Sequence, residues 1–476
     1  MNNFQQLNLP PELLQAIDKL GFTTPTEIQE KTIPVLIKGV KDFIGLAQTG
    51  TGKTAAYGLP LISIINNKIN KPQGLIICPT RELCLQIQND LTKYGEFIEG
   101  FKAVAVYGGS SISTQIFQLK RNCQIVVATP GRLIDLIDRK AIDLTIVKYV
   151  VLDEADEMLQ MGFEEDVISI LKHTTNREQF WLFSATMPTQ IKKVIKNFMQ
   201  QPYEIQVGTV NSVNKNISHQ YCITSSAHRY ETLKRILDFN PGIYGIIFAR
   251  TKVMTQEITE KLIFEGYNID SLHGDLSQVQ RDKVMNQFRK KQLQLIVATD
   301  VAARGIDVEN LTHVINYELP DELEVYTHRS GRTGRAGKEG ICFTIVHSKE
   351  LYKIKQIERT NKISFHKTDI PTGSDICRKQ FFNFIEQFIN TKVEEDVISP
   401  YMSLLEEKFA SFDKQDLLKR LLSVEFQRLL KYYENAIDLN KPERESKNFQ
   451  DRKEYGRRDN DRKEYGRRDN DRKEYG

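Results

Sequence analysis

Unbroken apolar runs alternate with helix-compatible stretches along most of this 476-residue chain. Between Gln73 and Met187 the runs are 74–78, 103–107, 124–128, 149–152 and 181–183. Each stops at a polar cluster: Pro79-Thr80-Arg81-Glu82-Leu83, Gly108-Gly109, Thr129-Pro130-Gly131-Arg132, Asp153-Glu154-Ala155-Asp156 and Ser184-Ala185-Thr186. Continuously apolar strands are covered on both faces, so their alternation with helices predicts a doubly wound parallel sheet. Ligands of such sheets sit beyond the strands' carboxyl ends, where all of these clusters fall. The alternation lapses over 205–217, a polar, Asn-rich linker, and restarts with runs at 244–248, 269–272, 293–297 and 313–317. The pattern therefore predicts two tandem α/β units. Ahead of the first, Leu13, Leu14, Ile17 and Leu20 give an opening helix its apolar face, and a turn beginning at Gly21 leads into a second helix.

Helical spacing returns near the end of the chain. Phe381, Ile385, Phe388 and Ile389 recur with a helical period. So do Leu417, Leu418, Leu421, Leu422, Phe426, Leu429 and Leu430, behind Asp413 as an N-cap. The latter helix is apolar over more than one narrow face, as expected of a helix packed on two sides. A hairpin of about 60 residues is marginal as an independent core. It must pack on the second unit or on its own copy in another chain.

The stretch that organises the first unit is Ala47-Gln48-Thr49-Gly50-Thr51-Gly52-Lys53-Thr54, led in by the run 43–46 and followed by a helical segment from Ala55. Strand, glycine loop and helix are the context in which a P-loop cradles phosphates. Gly50 and Gly52 let the backbone curl so that successive N–H groups point at phosphate oxygens. Lys53 can reach the β- and γ-phosphates, and the Thr54 hydroxyl can bind Mg²⁺. The general pattern begins with glycine, where this chain has Ala47. Further along, Asp153 can hold Mg²⁺ through water, and Glu154 can position or deprotonate an attacking water. An acidic helix N-terminus is the alternative reading of that pair. The Gln29 amide both donates and accepts, as reading an adenine edge requires; an ordinary surface residue of a helix is its alternative. Arg332 and Arg335 lie three apart in a glycine-rich stretch of the second unit. They are either two surface arginines near a helix start or cations that neutralise γ-phosphate charge across a cleft between the units.

Composition narrows the class. A hydrophobic share of 40% and a charged share of 27% are those of a soluble globular protein. No apolar run approaches the roughly 18 residues of a membrane span, and the first residues lack the basic and apolar regions of a signal peptide. The six cysteines are scattered without a Cys-x-x-Cys pair. That argues against a zinc site or disulfide framework and for a reducing, cytoplasmic setting. Net charge is +4, and residues 441–476 alone hold 13 Lys+Arg against 10 Asp+Glu. The rest of the chain is nearly neutral, so a polyanion must be met by local positive groups and backbone amides.

In order and identity these motifs resemble those of the DEAD-box RNA helicases, over about residues 1–370. The resemblance implies two tandem RecA-like domains, 1–205 and 218–370, joined by a linker at 206–217. It implies an enzyme that couples ATP hydrolysis, with Mg²⁺, to local separation of short RNA duplexes, and it makes Ala47 a family form. It assigns Ala47, Gln48, Thr49, Gly50, Thr51, Gly52, Lys53 and Thr54 to the nucleotide loop. Gln29 reads the adenine, Phe4 stacks on it, and Asp307 holds the ribose. Lys53, Asp153, Glu154, Arg332 and Arg335 form the catalytic set, with Thr54 and Asp153 facing the metal. RNA-backbone contacts fall to Arg81, Gly109, Thr129, Gly131 and Arg132 in the first domain and to Arg250, Gln278, Arg281 and Thr299 in the second. Ser184, Thr186 and His328 couple hydrolysis to strand separation.

Residues 376–437 resemble the helical extension of the bacterial cold-shock members, which forms dimers in that subgroup. A dimerisation module at 371–440 and a homodimer are therefore expected. The tail, 441–476, carries the decapeptide Asp451-Arg-Lys-Glu-Tyr-Gly-Arg-Arg-Asp-Asn460, copied at 461–470 and begun again at 471. Without aliphatic side chains the repeat cannot bury enough surface to fold, which predicts disorder. It reads equally as a weak, salt-sensitive RNA contact through arginines and stacking tyrosines or as a solubilising tail. Two rival classes stay in view. One is an ATP-gated RNA clamp or scaffold with little unwinding, marked by loss of Glu154, Ser184 or Thr186; the other is a DNA translocase, which would lack the Gln29 motif. All these residues are present. The expected contacts are to the RNA backbone and do not read its sequence, so ribosome assembly, RNA decay and cold adaptation stay open.

Overall fold

The computed structural model describes residues 3–48, 50–207, 216–303, 306, 308, 310–335 and 338–440. Thr49, Asp307, most of the expected linker and the repeat tail lie outside these residues. Seven strands form the first sheet: Asp42–Leu46 (β1), Gly74–Ile77 (β2), Ala103–Val106 (β3), Ile125–Ala128 (β4), Tyr149–Leu152 (β5), Gln179–Ser184 (β6) and Tyr203–Gln206 (β7). Their order is β3-β4-β2-β5-β6-β1-β7. The second sheet takes Ile217–Ile223 (β8), Gly245–Phe248 (β9), Ile269–Leu272 (β10), Leu295–Ala298 (β11), His313–Asn316 (β12), Gly340–Val346 (β13) and Phe365–Lys367 (β14), in the order β10-β11-β9-β12-β13-β8-β14. The pairings are parallel throughout, from β1 with β6 and β7 to β13 with β8. Two tandem doubly wound sheets are thus as expected.

The unbroken apolar runs follow from the two-sided burial of these sheets. In β2, Ile76 enters one layer with Val127, Val151 and Trp181. Its neighbours Leu75 and Ile77 enter the opposite layer with Val126, Val150 and Leu182. The second sheet repeats the scheme, with Ile246 and Phe248 on one side and Ile247 and Ala249 on the other. Each such Val, Leu, Ile or Phe side chain contributes about 1.5–3 kcal/mol on burial.

The strands that the sequence pattern left out are informative. β7 and β8 use the two ends of the expected linker, Gln206 and Ile217. In β8 the polar Ser218, His219 and Gln220 interrupt the apolar run, yet His219 is buried against Tyr326 and Phe365. β13 is a largely apolar run that ends at His347-Ser348-Lys349-Glu350, and β14 is only three residues long.

The expected C-terminal hairpin is instead three helices, Gly373–Asn390, Glu395–Phe409 and Lys414–Tyr433. Asp413 caps the last as expected, accepting the Asp416 N–H at 2.7 Å. The middle helix contains Pro400 and buries none of its residues. Gly373–Asn390 packs on the second domain's helix Arg229–Phe239 and on the last helix. A polar latch adds to this packing. Tyr433 donates to Asp238 Oδ2 at 2.5 Å, and Tyr267 donates to the other oxygen of that carboxylate. Tyr432 donates to Glu231 at 2.7 Å, and its ring lies 3.5 Å beneath the Lys234 ammonium. Phe426 and Tyr433 are the buried residues of the last helix, whereas Leu418, Leu421, Val424 and Leu430 are exposed.

Candidate functional site

The strand β1 delivers the chain into the loop, and Gly52, at φ 88°, starts the helix Lys53–Ile64. Gly50 is also left-handed, at φ 79°. Both conformations favour glycine. A side chain at Gly52 would also meet Gln29, whose Nε2 lies 2.4 Å from where a Cβ would stand. Gln29 ties the segments together: its Nε2 donates to the Gly52 carbonyl at 3.1 Å, and its Oε1 accepts the Thr26 N–H at 2.9 Å. One N–H and one lone pair of the amide remain for a ligand. Lys53 is buried, and its Nζ donates to the Ala47 carbonyl at 2.9 Å. The Phe4 ring is 0% exposed, packed in the apolar layer with Leu7 and Ile28.

Asp153 and Glu154 end β5 beside the loop. Asp153 is buried; its Oδ1 accepts the Glu154 N–H at 2.9 Å and its Oδ2 accepts the Tyr57 hydroxyl at 2.7 Å. Burial raises its pKa, against the pull of Lys53. Glu154 turns the chain in the left-handed region, at φ 49° and ψ 50°. That is an uncommon conformation for a non-glycine residue and costs about 1–3 kcal/mol. Burial pushes its carboxyl up to about 7, opposed by Arg332 and Lys53 and assisted by Asp153 and Glu157.

Groups from the second domain complete the cleft. Arg335 packs over the nucleotide loop, its Cγ 3.6 Å from where a Cβ on Gly50 would stand. Arg332 is buried and donates to the Ile306 carbonyl at 2.9 Å. His328 donates toward Glu157 from one ring nitrogen, and the other lies 3.8 Å from Asp156. Burial lowers the His328 pKa, but the Glu157 and Asp156 carboxylates outweigh it and the net shift is upward. Asp156 in turn accepts the Thr186 N–H at 2.9 Å and hydroxyl at 2.8 Å, and Ser184 donates to the Thr186 carbonyl at 2.7 Å. The three residues expected to couple the domains therefore form one connected chain. Glu157 was missed, although it directly follows the acidic motif. Arg329 was missed too; it is buried, pairs with Asp300, and donates to Asn316 at 2.9 Å.

A second feature crosses the same interface. A groove of about 550 Å³ is lined by Arg81, Thr129, Gly131 and Arg132 from one domain and Gln278 and Arg281 from the other. Arg81 bonds Asp282 at 3.0 Å, and Arg281 bonds Glu82 at 2.6 Å, both between domains. Gly109, at φ 76°, brings its backbone close to Arg81 and Gln278. Arg250 and Thr299 are not among the residues lining the groove; Arg250 donates to the Leu319 carbonyl and pairs with Asp321 at 3.3 Å. Neither Glu82 nor Asp282 was anticipated, because an acidic residue beside an arginine reads as an ordinary surface charge.

Among the described residues no group of three or more His, Cys, Asp or Glu side chains is placed to hold a metal, and no helix is long and apolar enough to cross a membrane. The oxygen donors Asp153 and Thr54 suit Mg²⁺, which takes one or two protein oxygens and fills its shell with phosphates and water.

A phosphate loop and acidic pair on one parallel-sheet domain, met by arginines of a second, define a P-loop nucleotide hydrolase of two tandem domains. The chain matches the DEAD/DEAH box helicase model over residues 26–194, the helicase conserved C-terminal domain over 228–337 and the helical domain of probable ATP-dependent RNA helicases over 376–434. It is 41% identical over 424 residues to the DEAD-box ATP-dependent RNA helicase CshA of Geobacillus kaustophilus, covering 89% of this chain and 90% of that one. It is 42% identical over 387 residues to the ATP-dependent RNA helicase DeaD of Mycobacterium tuberculosis, covering 81% and 68%. The structure of S. cerevisiae Dbp5 bound to RNA and ADP BeF3 matches with a TM-score of 0.72 at 29% identity, covering 81% of this chain and 100% of that one. The chain belongs to the DEAD-box family of ATP-dependent RNA helicases.

Proposed function

We propose that this protein separates short RNA duplexes by closing its two domains, 1–205 and 218–370, over one ATP and one RNA strand. The observation that carries the reading is that one interface holds both features. Arg335 packs on the nucleotide loop where Arg281 and Asp282 also meet Glu82 and Arg81 along the groove. Lys53 and the loop amides hold the β- and γ-phosphates, and Gln29 offers its remaining donor and acceptor to the adenine. Glu154 takes a proton from the attacking water; a carboxyl lifted to about 7 suits a base working near neutral pH. Arg332 and Arg335 stabilise charge that develops on the γ-phosphate. Asp153 and Thr54 would hold Mg²⁺, which would neutralise phosphate charge. Asp307 is assigned to the ribose.

The chain from His328 through Asp156 and Thr186 links the state of the nucleotide to the placement of the domains. Arg81, Gly109, Thr129, Gly131, Arg132, Gln278 and Arg281 contact the RNA backbone in the groove, and Arg250 and Thr299, outside its lining, are assigned to the same strand. Closure bends the bound strand so that its partner leaves, and binding energy realised only in the closed state offsets the lost pairing. A homodimer through 376–437 is part of the proposal, supported by the exposed Phe388, Ile389, Val397, Tyr401, Leu418 and Val424. A cytoplasmic setting is supported by the six free cysteines. Fluorescence anisotropy of single-stranded RNA tests the coupling. A non-hydrolysable ATP analogue should tighten RNA binding by about tenfold or more; equal RNA affinity with and without it would overturn the closure mechanism.

A further inference from the structure

Tyr57 sits one turn beyond the nucleotide loop on the helix Lys53–Ile64, three residues after Thr54 and four after Lys53. At that spacing the three share one side of the helix. The Tyr57 ring is 0% exposed and packs on Phe183, with centroids 5.1 Å apart. A phenylalanine would fill the same space. The phenol adds an O–H that must find a partner when buried. Its partner is Asp153 Oδ2, at 2.7 Å, while Asp153 Oδ1 accepts the Glu154 N–H at 2.9 Å. The carboxylate is held at both oxygens, by the end of β5 on one side and by the helix of the nucleotide loop on the other. The Thr54 hydroxyl lies beside the Tyr57 hydroxyl.

We propose that Tyr57 is a positioning residue: its hydroxyl locks the Asp153 carboxylate so that Asp153 and Thr54 face one Mg²⁺. The inference rests on the reading of Asp153 and Thr54 as the metal-facing pair. Each Asp153 oxygen keeps a lone pair for the ion or its waters. Without the phenol, the metal itself must order a carboxylate free to turn about its Cβ–Cγ bond. The penalty then falls on the metal requirement and not on nucleotide binding without metal.

The test is equilibrium binding of a fluorescent ATP analogue to the full chain, titrated with Mg²⁺, for the wild type, Tyr57→Phe and Asp153→Asn. Tyr57→Phe should need about tenfold more Mg²⁺ for the half-maximal gain in affinity, the usual scale for losing a group that orients a metal ligand. Its affinity in EDTA should match the wild type. Asp153→Asn should lose most of the Mg²⁺-dependent gain. A wild-type Mg²⁺ requirement in Tyr57→Phe, with the gain lost in Asp153→Asn, overturns the positioning role and leaves the metal reading standing. A wild-type requirement in Asp153→Asn overturns both. A Tyr57→Phe protein that loses equal affinity in EDTA and in Mg²⁺ has lost packing alone, which also overturns the proposal.

Discussion

Glu154 brings together the properties that a hydrolytic base needs. It is half-buried, its carboxyl titrates near neutrality, and a left-handed backbone holds it at the end of β5. Glu154→Gln should keep ATP and RNA bound while turnover falls by about a hundredfold or more, because an amide cannot accept the proton; phosphate-release kinetics check this. Arg335→Ala should slow hydrolysis far more than it weakens ATP binding, since a cation placed across the cleft acts on charge that develops in the transition state. Steady-state rates set beside nucleotide affinities separate the two effects. At this scale much was legible. Phosphate chemistry demands Gly, Lys, Thr, Asp and Glu at fixed spacing, and the residues that meet the demand converge in the cleft. The supporting partners were not legible. Tyr57 reads as apolar core because only its packing, not its hydroxyl, follows the helical period.

Among the elements, β8 shows how one buried polar side chain can hide a strand. His219 packs under Tyr326 and Phe365, and its Nδ1 lies 2.6 Å from the Tyr326 hydroxyl. Burial pushes its pKa down to about 4, as it does for His313 on β12. The unfolded chain titrates these groups near 6.5. Between the two values only the unfolded state takes up the protons, so stability is complete above about pH 6.5 and falls as pH drops toward 4. Thermal melting of the second domain should decline between about pH 6.5 and pH 5, and His219→Gln should flatten that decline. The apolar runs made most strands plain, because each is buried on both faces. β7 and β14 are short edge strands, which leave only a weak period in the sequence.

For the whole molecule, the sheets and their linked motifs explain the activity of the family, and the C-terminal helices add a surface. They latch to the second domain through Tyr432, Tyr433 and Phe426, and they leave Val397, Tyr401, Leu418 and Val424 exposed. A face of this kind fits a second copy of the chain. Light scattering at micromolar concentration should give about twice 55.0 kDa for the full chain and a monomer for a chain ending near Thr368. A monomeric full-length protein would leave the module as a buttress of the second domain. The dimer should gain avidity for long RNA with little change in hydrolysis per active site. The central claim is that closure over ATP separates RNA strands, and release of a labelled strand from a short duplex tests it most directly. The account predicts release from RNA with ATP, none with ADP, none with Glu154→Gln under multiple turnover, and little from a DNA duplex of the same sequence. RNA-stimulated ATP hydrolysis without strand release would contradict it and describe a clamp.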